Sequence, residues 1–277
     1  LDFYTFHAGF KKKLDDLLIV VFKELTPLSA VYSKTSTPSA PIIWDKMNNK
    51  GLCKLLIINA GNANAHTGKN GIKTIDKYVS AASKYFNCKK SQVLVSSTGV
   101  IGEKLNANKI IKVFPTIIKS KTKNLLSASK AIMTTDTYPK IIVKKIKINS
   151  KIIKIFGFAK GSGMIFPNMG TMLAYIFIEA DLPKKILQKL IKDNLDNTFN
   201  SISTDGDTST SDTLMLFSLN KKKILINKKT YEVLSKSLFK LMQDLSLKIV
   251  QDGEGLTKLI KINVFKSRTK NQANNIA

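Results

Sequence analysis

A single hydroxyl, that of Thr171, stands where two kinds of sequence meet. Before it runs AKGSGMIFPNMG, whose Gly161, Ser162, Gly163, Pro167, Asn168 and Gly170 are loop-forming residues. After it, residues 172–178 are all apolar, as in a buried strand. A threonine so placed is either the first residue of a strand or a nucleophile, and a nucleophile needs a base beside it. The usual base is scarce. Only His7 and His66 are present, there is no G-x-S-x-G, and the sequence argues against a Ser-His-Asp hydrolase. The two histidines also lack the spacing of a metal pair, so no metal site is expected.

Other familiar templates fail on inspection. GNANAHTGKN looks like a phosphate loop, but the interval from Gly61 to Gly68 is too long and Asn70 replaces the required Ser or Thr. DGDTSTSD, residues 205–212, lacks the Gly and the distant Glu of a calcium loop, and its acidic and hydroxyl side chains read as turn caps. What remains is a set of small-polar segments at the ends of apolar runs: NAGNANAHTG, SSTGVIGE, AIMTTDTYPK, AKGSGMIFPNMGTML, DGDTSTSDT and DGEG. Each alone is an ordinary turn. Together they suggest the rim of one site, because function concentrates on loops held by a rigid scaffold.

The elements that must carry this rim are partly visible. KLLIIN, residues 54–59, reads as a buried strand. Ile72, Ile75, Val79, Ala82 and Phe86 form a helical stripe, and QVLVSS is a second strand. A helix is expected over residues 108–120, divided or kinked by Pro115. KIIVKKIKINSKIIKIFGF suggests a hairpin turning at Asn149 and Ser150. Asp181 can cap a helix with Pro183 in its first turn. TLMLFSL, KKILIN and KLIKINVF read as strands, and Tyr231, Leu234, Leu238, Leu241, Leu245 and Ile249 mark a long amphipathic helix. TKNQANNIA reads as the start of another helix. Strands and helices mix without strict alternation, which predicts an α+β fold.

Composition bounds the class. The chain has 277 residues, 43% of them hydrophobic, enough for one large domain or two modest ones. No apolar run approaches the ~18 residues of a membrane span. The opening LDFYTFHAGFKKKLDD is no signal peptide, and the first residue is not Met, as expected of a fragment or a processed product. Cys53 and Cys88 are too few for a disulfide framework, read as small buried hydrophobes, and fit a reducing cytoplasm. The net charge is +26, yet of 45 basic residues only Arg268 is arginine, and the lysines are scattered. Phosphate and base readers lean on the guanidinium fork and on clustered charge. The charge therefore reads as lysine-rich composition, and no specific nucleic-acid or membrane partner is expected.

The small-polar segments, in their order, resemble the ArgJ family, the ornithine acetyltransferases (glutamate N-acetyltransferases) of arginine biosynthesis. STGVIGE, KGSGMI with PNM and TML, and DGDTST with DT carry the resemblance, which runs from about Phe10 to Lys258. It implies a layered α/β/β/α-type sandwich with the mechanism of an N-terminal-nucleophile hydrolase. It implies a precursor that cuts itself between Gly170 and Thr171, leaving an α chain of residues 1–170 and a β chain from 171 to 277. The freed α-amine of Thr171 then supplies the base that no histidine provides, since such amines titrate at about 7.7–8.0 in peptides. Family members more often carry Ala before the threonine; Gly170 is equally small.

The resemblance assigns further roles. Thr98 and Gly99 match the oxyanion hole. Thr134, Lys160, Thr171 and Glu254 match substrate-binding positions, with Lys160 suited to a carboxylate and Glu254 to an ammonium. The implied reaction moves acetyl from N-acetylornithine to glutamate without a cofactor. Some relatives also use acetyl-CoA. The implied assembly is a heterotetramer of two α and two β chains, in the cytoplasm. Family chains continue beyond Ala277 into a segment with an Asn and a Thr that bind substrate, so a fragment or a truncated relative is expected. The competing readings are a related aminopeptidase and an inactive basic binding protein.

Overall fold

The computed structural model describes residues 1–166 and 172–276. Its strands are β1 (Asp2–Phe6), β2 (Leu17–Tyr32), β3 (Leu52–Asn62), β4 (Val93–Val100), β5 (Lys140–Ile148), β6 (Lys151–Lys160), β7 (Leu173–Ile178) and β8 (Thr213–Ser218). The helices are α1 (Ala40–Asn48), α2 (Gly68–Tyr85), α3 (Ala107–Ile111), α4 (Phe114–Ile117), α5 (Leu125–Ala131), α6 (Lys184–Leu195), α7 (Lys228–Val250) and α8 (Lys270–Ile276). The strand order is β4-β3-β2-β8-β7-β6-β5, with β1 on β2. The long β2 belongs to two sheet halves. Its first part pairs with β1 and, through an irregularity between Val21 and Thr26, with β3 as far as Pro27; from Leu28 it pairs with β8.

Strand periodicity explains the layering. Successive side chains point to opposite faces, and each central strand serves two cores. Leu17, Ile19, Leu55, Ile57, Val93 and Val95 pack outward against α1 and α2. Their alternates Leu18, Val20, Leu56, Ile58 and Leu94 point inward, to meet Phe156, Phe158, Tyr175, Phe177 and Phe217 of the other half. The alternates of that half, Ala174, Ile176, Leu214 and Leu216, pack against Leu187, Leu190, Leu238, Leu241 and Leu245 of α6 and α7. Two sheet halves face each other with a helical layer outside each, which is the α/β/β/α sandwich. The inner layer is aromatic. Phe177 stacks on Phe217 and Phe156 at ring centroid separations of 5.2 and 5.1 Å.

Most expected elements are present. Pro115 divides the helix of residues 108–120 into α3 and α4, and β5 and β6 turn at Asn149, which takes φ 53°. Three expectations are corrected. KKILIN is not a strand: both sides of β7 and β8 are already paired, and only the bridge between Asp181 and Lys223 forms. KLIKINVF alternates correctly but pairs with nothing among the described residues, and Ile260 and Phe265 are 77% and 80% exposed. Asp181 does not cap α6; Pro183 holds that position. Cys53 is buried and Cys88 half-buried, both as free thiols. No helix among the described residues is long and apolar enough to cross a membrane.

Candidate active site

The C-terminal end of β4 lies beside that of β3, its parallel neighbour, with Thr98 opposite Ala60 and Gly99 opposite Gly61. The approach is close. Gly99 takes φ 124°, and a Cβ there would fall 2.4 Å from the Gly61 carbonyl carbon. Only glycine fits both constraints. Thr98 is buried, and its hydroxyl makes no hydrogen bond among the described residues. The strand end is braced beneath it: Ser97 donates to Asn59 Oδ1 at 2.6 Å, and Asn59 donates to the Asn62 carbonyl at 2.7 Å.

Lys160 ends β6, and Thr134 follows α5. The Lys160 ammonium donates to the Thr134 hydroxyl at 3.2 Å. Burial pushes the Lys160 ammonium below its ordinary value, opposed by the charges of Asp136, Asp212 and Glu254 and reinforced by that of Lys140. Burial alone would raise the Asp136 carboxyl. Lys160, Lys140 and the Gly161 N–H outweigh it and hold Asp136 below the usual carboxylate range. Glu254 approaches through the next loop, where its N–H donates to the Ser162 carbonyl at 3.3 Å. Its carboxylate lies so close to Gly163 that a Cβ there would sit 2.9 Å from Cδ.

Backbone hydrogen bonds join these loops into one rim. Ala63 donates to Val100, Ala40 to Asn64, Ser39 to Thr210 and Ser33 to Asp212. On the other side the loop before β2 wraps the Asp16 carboxylate, which accepts N–H groups from Ala8, Gly9, Phe10 and Lys11. That loop touches both groups. The Phe10 carbonyl blocks any side chain on Gly61, and Lys11 donates to the Ala131 carbonyl at 3.3 Å.

Gly170 and Thr171, the expected junction and nucleophile, lie outside the described residues. The residues on either side are held by the acidic loop 205–212. Asp205 accepts the N–H groups of Met164 and Ile165, the latter at 3.0 Å. Asp212 accepts the Met172 N–H at 2.8 Å. Asp212 is fully buried, and burial pushes its carboxyl well above the ordinary value, opposed by the Met172 N–H, Lys160 and the nearby Ser209. Its Oδ2 has no hydrogen-bond partner among the described residues. The sequence alone reads this loop as turn capping. The capping is real, but three of the groups capped, the N–H groups of Met164, Ile165 and Met172, lie in the segments flanking the junction.

The fold is shared with solved structures. A bacterial aminopeptidase from Ochrobactrum anthropi, described as a variant of the Ntn hydrolase fold, superposes with a TM-score of 0.52 over 91% of this chain and 83% of its own. At 10% identity this likeness defines the class of fold alone. The ArgJ crystal structure from Bacillus halodurans superposes with a TM-score of 0.56 at 30% identity, over 62% of this chain and 90% of its own. The ArgJ family model matches residues 2–277. The arginine biosynthesis bifunctional protein ArgJ of Bartonella henselae is 41% identical over 99% of this chain and 68% of its own length. Its namesake in Caldanaerobacter subterraneus is 38% identical over 96% and 67%. The chain belongs to the ArgJ family, and so to the acyltransferases of arginine biosynthesis.

Proposed function

We propose that the chain transfers acetyl from N-acetylornithine to glutamate by a two-step route through Thr171. The observation that carries this reading is the buried Lys160 ammonium, hydrogen-bonded to Thr134, with the Glu254 carboxylate in the adjoining loop. A cation and an anion on adjoining loops suit an amino acid that carries a carboxylate and an ammonium.

Self-cleavage comes first. The Thr171 hydroxyl adds to the Gly170 carbonyl, the peptide bond shifts to an ester, and water hydrolyses it. Residues 1–170 and 171–277 then belong to two chains, and Thr171 bears a free amine. In the transfer reaction that amine takes the proton of the Thr171 hydroxyl as Oγ attacks the acetyl carbonyl. The Thr98 hydroxyl and the Gly99 N–H donate to the oxyanion. Collapse breaks the amide C–N bond and returns the proton to the departing ornithine amine, leaving acetyl-Thr171. The glutamate amine then attacks the ester, Oγ leaves with the proton, and N-acetylglutamate departs. Acetyl-CoA would enter as an alternative donor to the same hydroxyl. An arrangement of two α and two β chains belongs to this reading as well.

The test uses the complete protein. N-terminal sequencing should find a second chain beginning at Thr171, and Thr171→Ala should remain one polypeptide without activity. Acetyl transfer to labelled glutamate should need N-acetylornithine and follow ping-pong kinetics. An active preparation that is wholly uncleaved would overturn the mechanism. Peptide hydrolysis without acetyl transfer would favour the aminopeptidase reading.

A further inference from the structure

Lys140 is fully buried at the start of β5, and its ammonium contacts two buried carboxylates, Asp136 Oδ1 and Asp252 Oδ2, each at 2.6 Å. The Tyr138 ring lies 4.9 Å from the same nitrogen. A buried ion cluster of this kind is weak as a source of stability, because desolvation offsets most of the attraction. What it supplies is direction, and its bonds lead to three loops. The Asp136 carboxylate accepts the Thr134 N–H at 3.1 Å and the Gly161 N–H, next to Lys160, at 2.8 Å. The Asp252 carboxylate accepts the Thr137 N–H at 3.0 Å and the Thr137 hydroxyl. The Asp252 carbonyl accepts from the Ser162 hydroxyl at 2.6 Å, and the Ser162 carbonyl accepts the Glu254 N–H.

We propose that Lys140, with Asp136 and Asp252, is a positioning residue that sets Thr134, Lys160 and Glu254 at the spacing that grips an α-amino acid. The inference rests on the amino-acid site proposed above and adds the group that organises it. Lys140 touches no substrate. Its two carboxylates lie more than a hundred residues apart in sequence, and its ammonium bridges the loop after α5 and the loop after α7, beside the direct bonds from Thr137 to Asp252.

Burial acts most strongly on the Lys160 ammonium, lowering its titration, and the cluster adjusts it. The charged groups around Lys160 are Asp136, Asp212, Glu254 and Lys140. The three carboxylates favour its ammonium and Lys140 disfavours it. Substrate carboxylate binding needs the ammonium, so affinity is lost as pH rises through the Lys160 titration. Removing the Asp136 charge moves that loss to lower pH, and removing the Lys140 charge moves it to higher pH.

The experiment measures KM and kcat against pH for the wild type, Asp136→Asn and Lys140→Met, with ornithine binding by calorimetry on the same samples. Substrate and product amines titrate identically in all of them, so differences between variants report the protein. Expected are KM increases on the order of tenfold near neutral pH with a smaller change in kcat, and opposite displacements of the alkaline limb. A merely structural cluster would lower the melting temperature and leave the limb where it is. If the single variants do not fold, the neutral triple Asp136→Asn, Lys140→Met, Asp252→Asn keeps the volume without charge. Its limb should fall, because Asp136 acts on Lys160 more strongly than Lys140 does. An unmoved limb, displacement of both single variants in one direction, or unchanged KM overturns the proposal. A wild type that binds ornithine but transfers no acetyl defeats the reaction proposed above while the calorimetric limb still decides the role of Lys140. A wild type that binds no amino acid defeats both.

Discussion

In the proposed mechanism Gly99 and Thr98 divide the work of one turn between shape and chemistry. Gly99 is fixed by space: a methyl would press on the Gly61 carbonyl carbon and demand a φ that L residues avoid. Gly99→Ala should therefore lose stability and activity together, by separating the ends of β3 and β4. Thr98 differs, because its buried hydroxyl makes no hydrogen bond among the described residues. Thr98→Val keeps the shape and removes one donor. The expected loss in kcat is on the order of 10²–10³-fold with little change in KM or melting temperature, since the oxyanion needs the donor more than the ground-state carbonyl does. Self-cleavage passes through a similar tetrahedral species, so only processed enzyme should be compared. Unchanged turnover with a lowered melting temperature would make Thr98 a turn residue. The motif around these two residues was legible in sequence. The clash that makes Gly99 obligatory was not, because it depends on a strand whose partner residue lies 38 positions earlier.

Among the elements, those with an uninterrupted periodic pattern were readable: β3, β4, the β5–β6 hairpin, β7, β8, α2 and α7 all follow their apolar spacing. β1, β2, α1 and α5 carried no signal strong enough to be read. β2 mixes a solid apolar start with KELTP, where the strand changes sheet halves. KKILIN and KLIKINVF failed for the converse reason, since a strand pattern needs an open edge as well as alternation. The acidic loop 205–212 shows the same limit at the site. Its residues looked like turn caps, and what they cap is visible only in three dimensions. That geometry makes a prediction. Asp212→Asn keeps an oxygen for the Met172 N–H, whereas Asp212→Leu removes it. Self-cleavage should survive the first and slow markedly in the second, as followed by gel over time. Burial pushes the Asp212 carboxyl upward, so at acidic pH the wild-type group is neutral and the Asn variant should match it. The two should diverge as pH rises and the wild-type carboxyl ionises beside Lys160. Equal cleavage by all three proteins would remove this loop from the processing machinery.

The whole molecule carries a charge that neither the fold nor the site requires. Of its cations, Lys140 and Lys160 are buried among carboxylates, and most of the remaining lysines stand on the surface without an acidic partner among the described residues. Exposed pairs such as Lys189 with Asp193 are screened by water and contribute little. A net +26 then acts mainly as self-repulsion, which opposes the compact state and is screened by salt. The melting temperature should therefore rise by several degrees as sodium chloride goes from about 20 to about 200 mM, where the Debye length falls below ~10 Å. A molecule held together by surface ion pairs would show the reverse. The same charge should bring duplex DNA to the protein at low salt, without sequence preference and with a steep fall in affinity as salt increases. The two measurements share one cause and belong together. A rising melting temperature with salt-sensitive, indifferent DNA binding marks the lysines as solvated surface. A complex that survives physiological salt with clear sequence preference would mean that some of them form a built nucleic-acid face, and that the acyl-transfer site is not the molecule's only function.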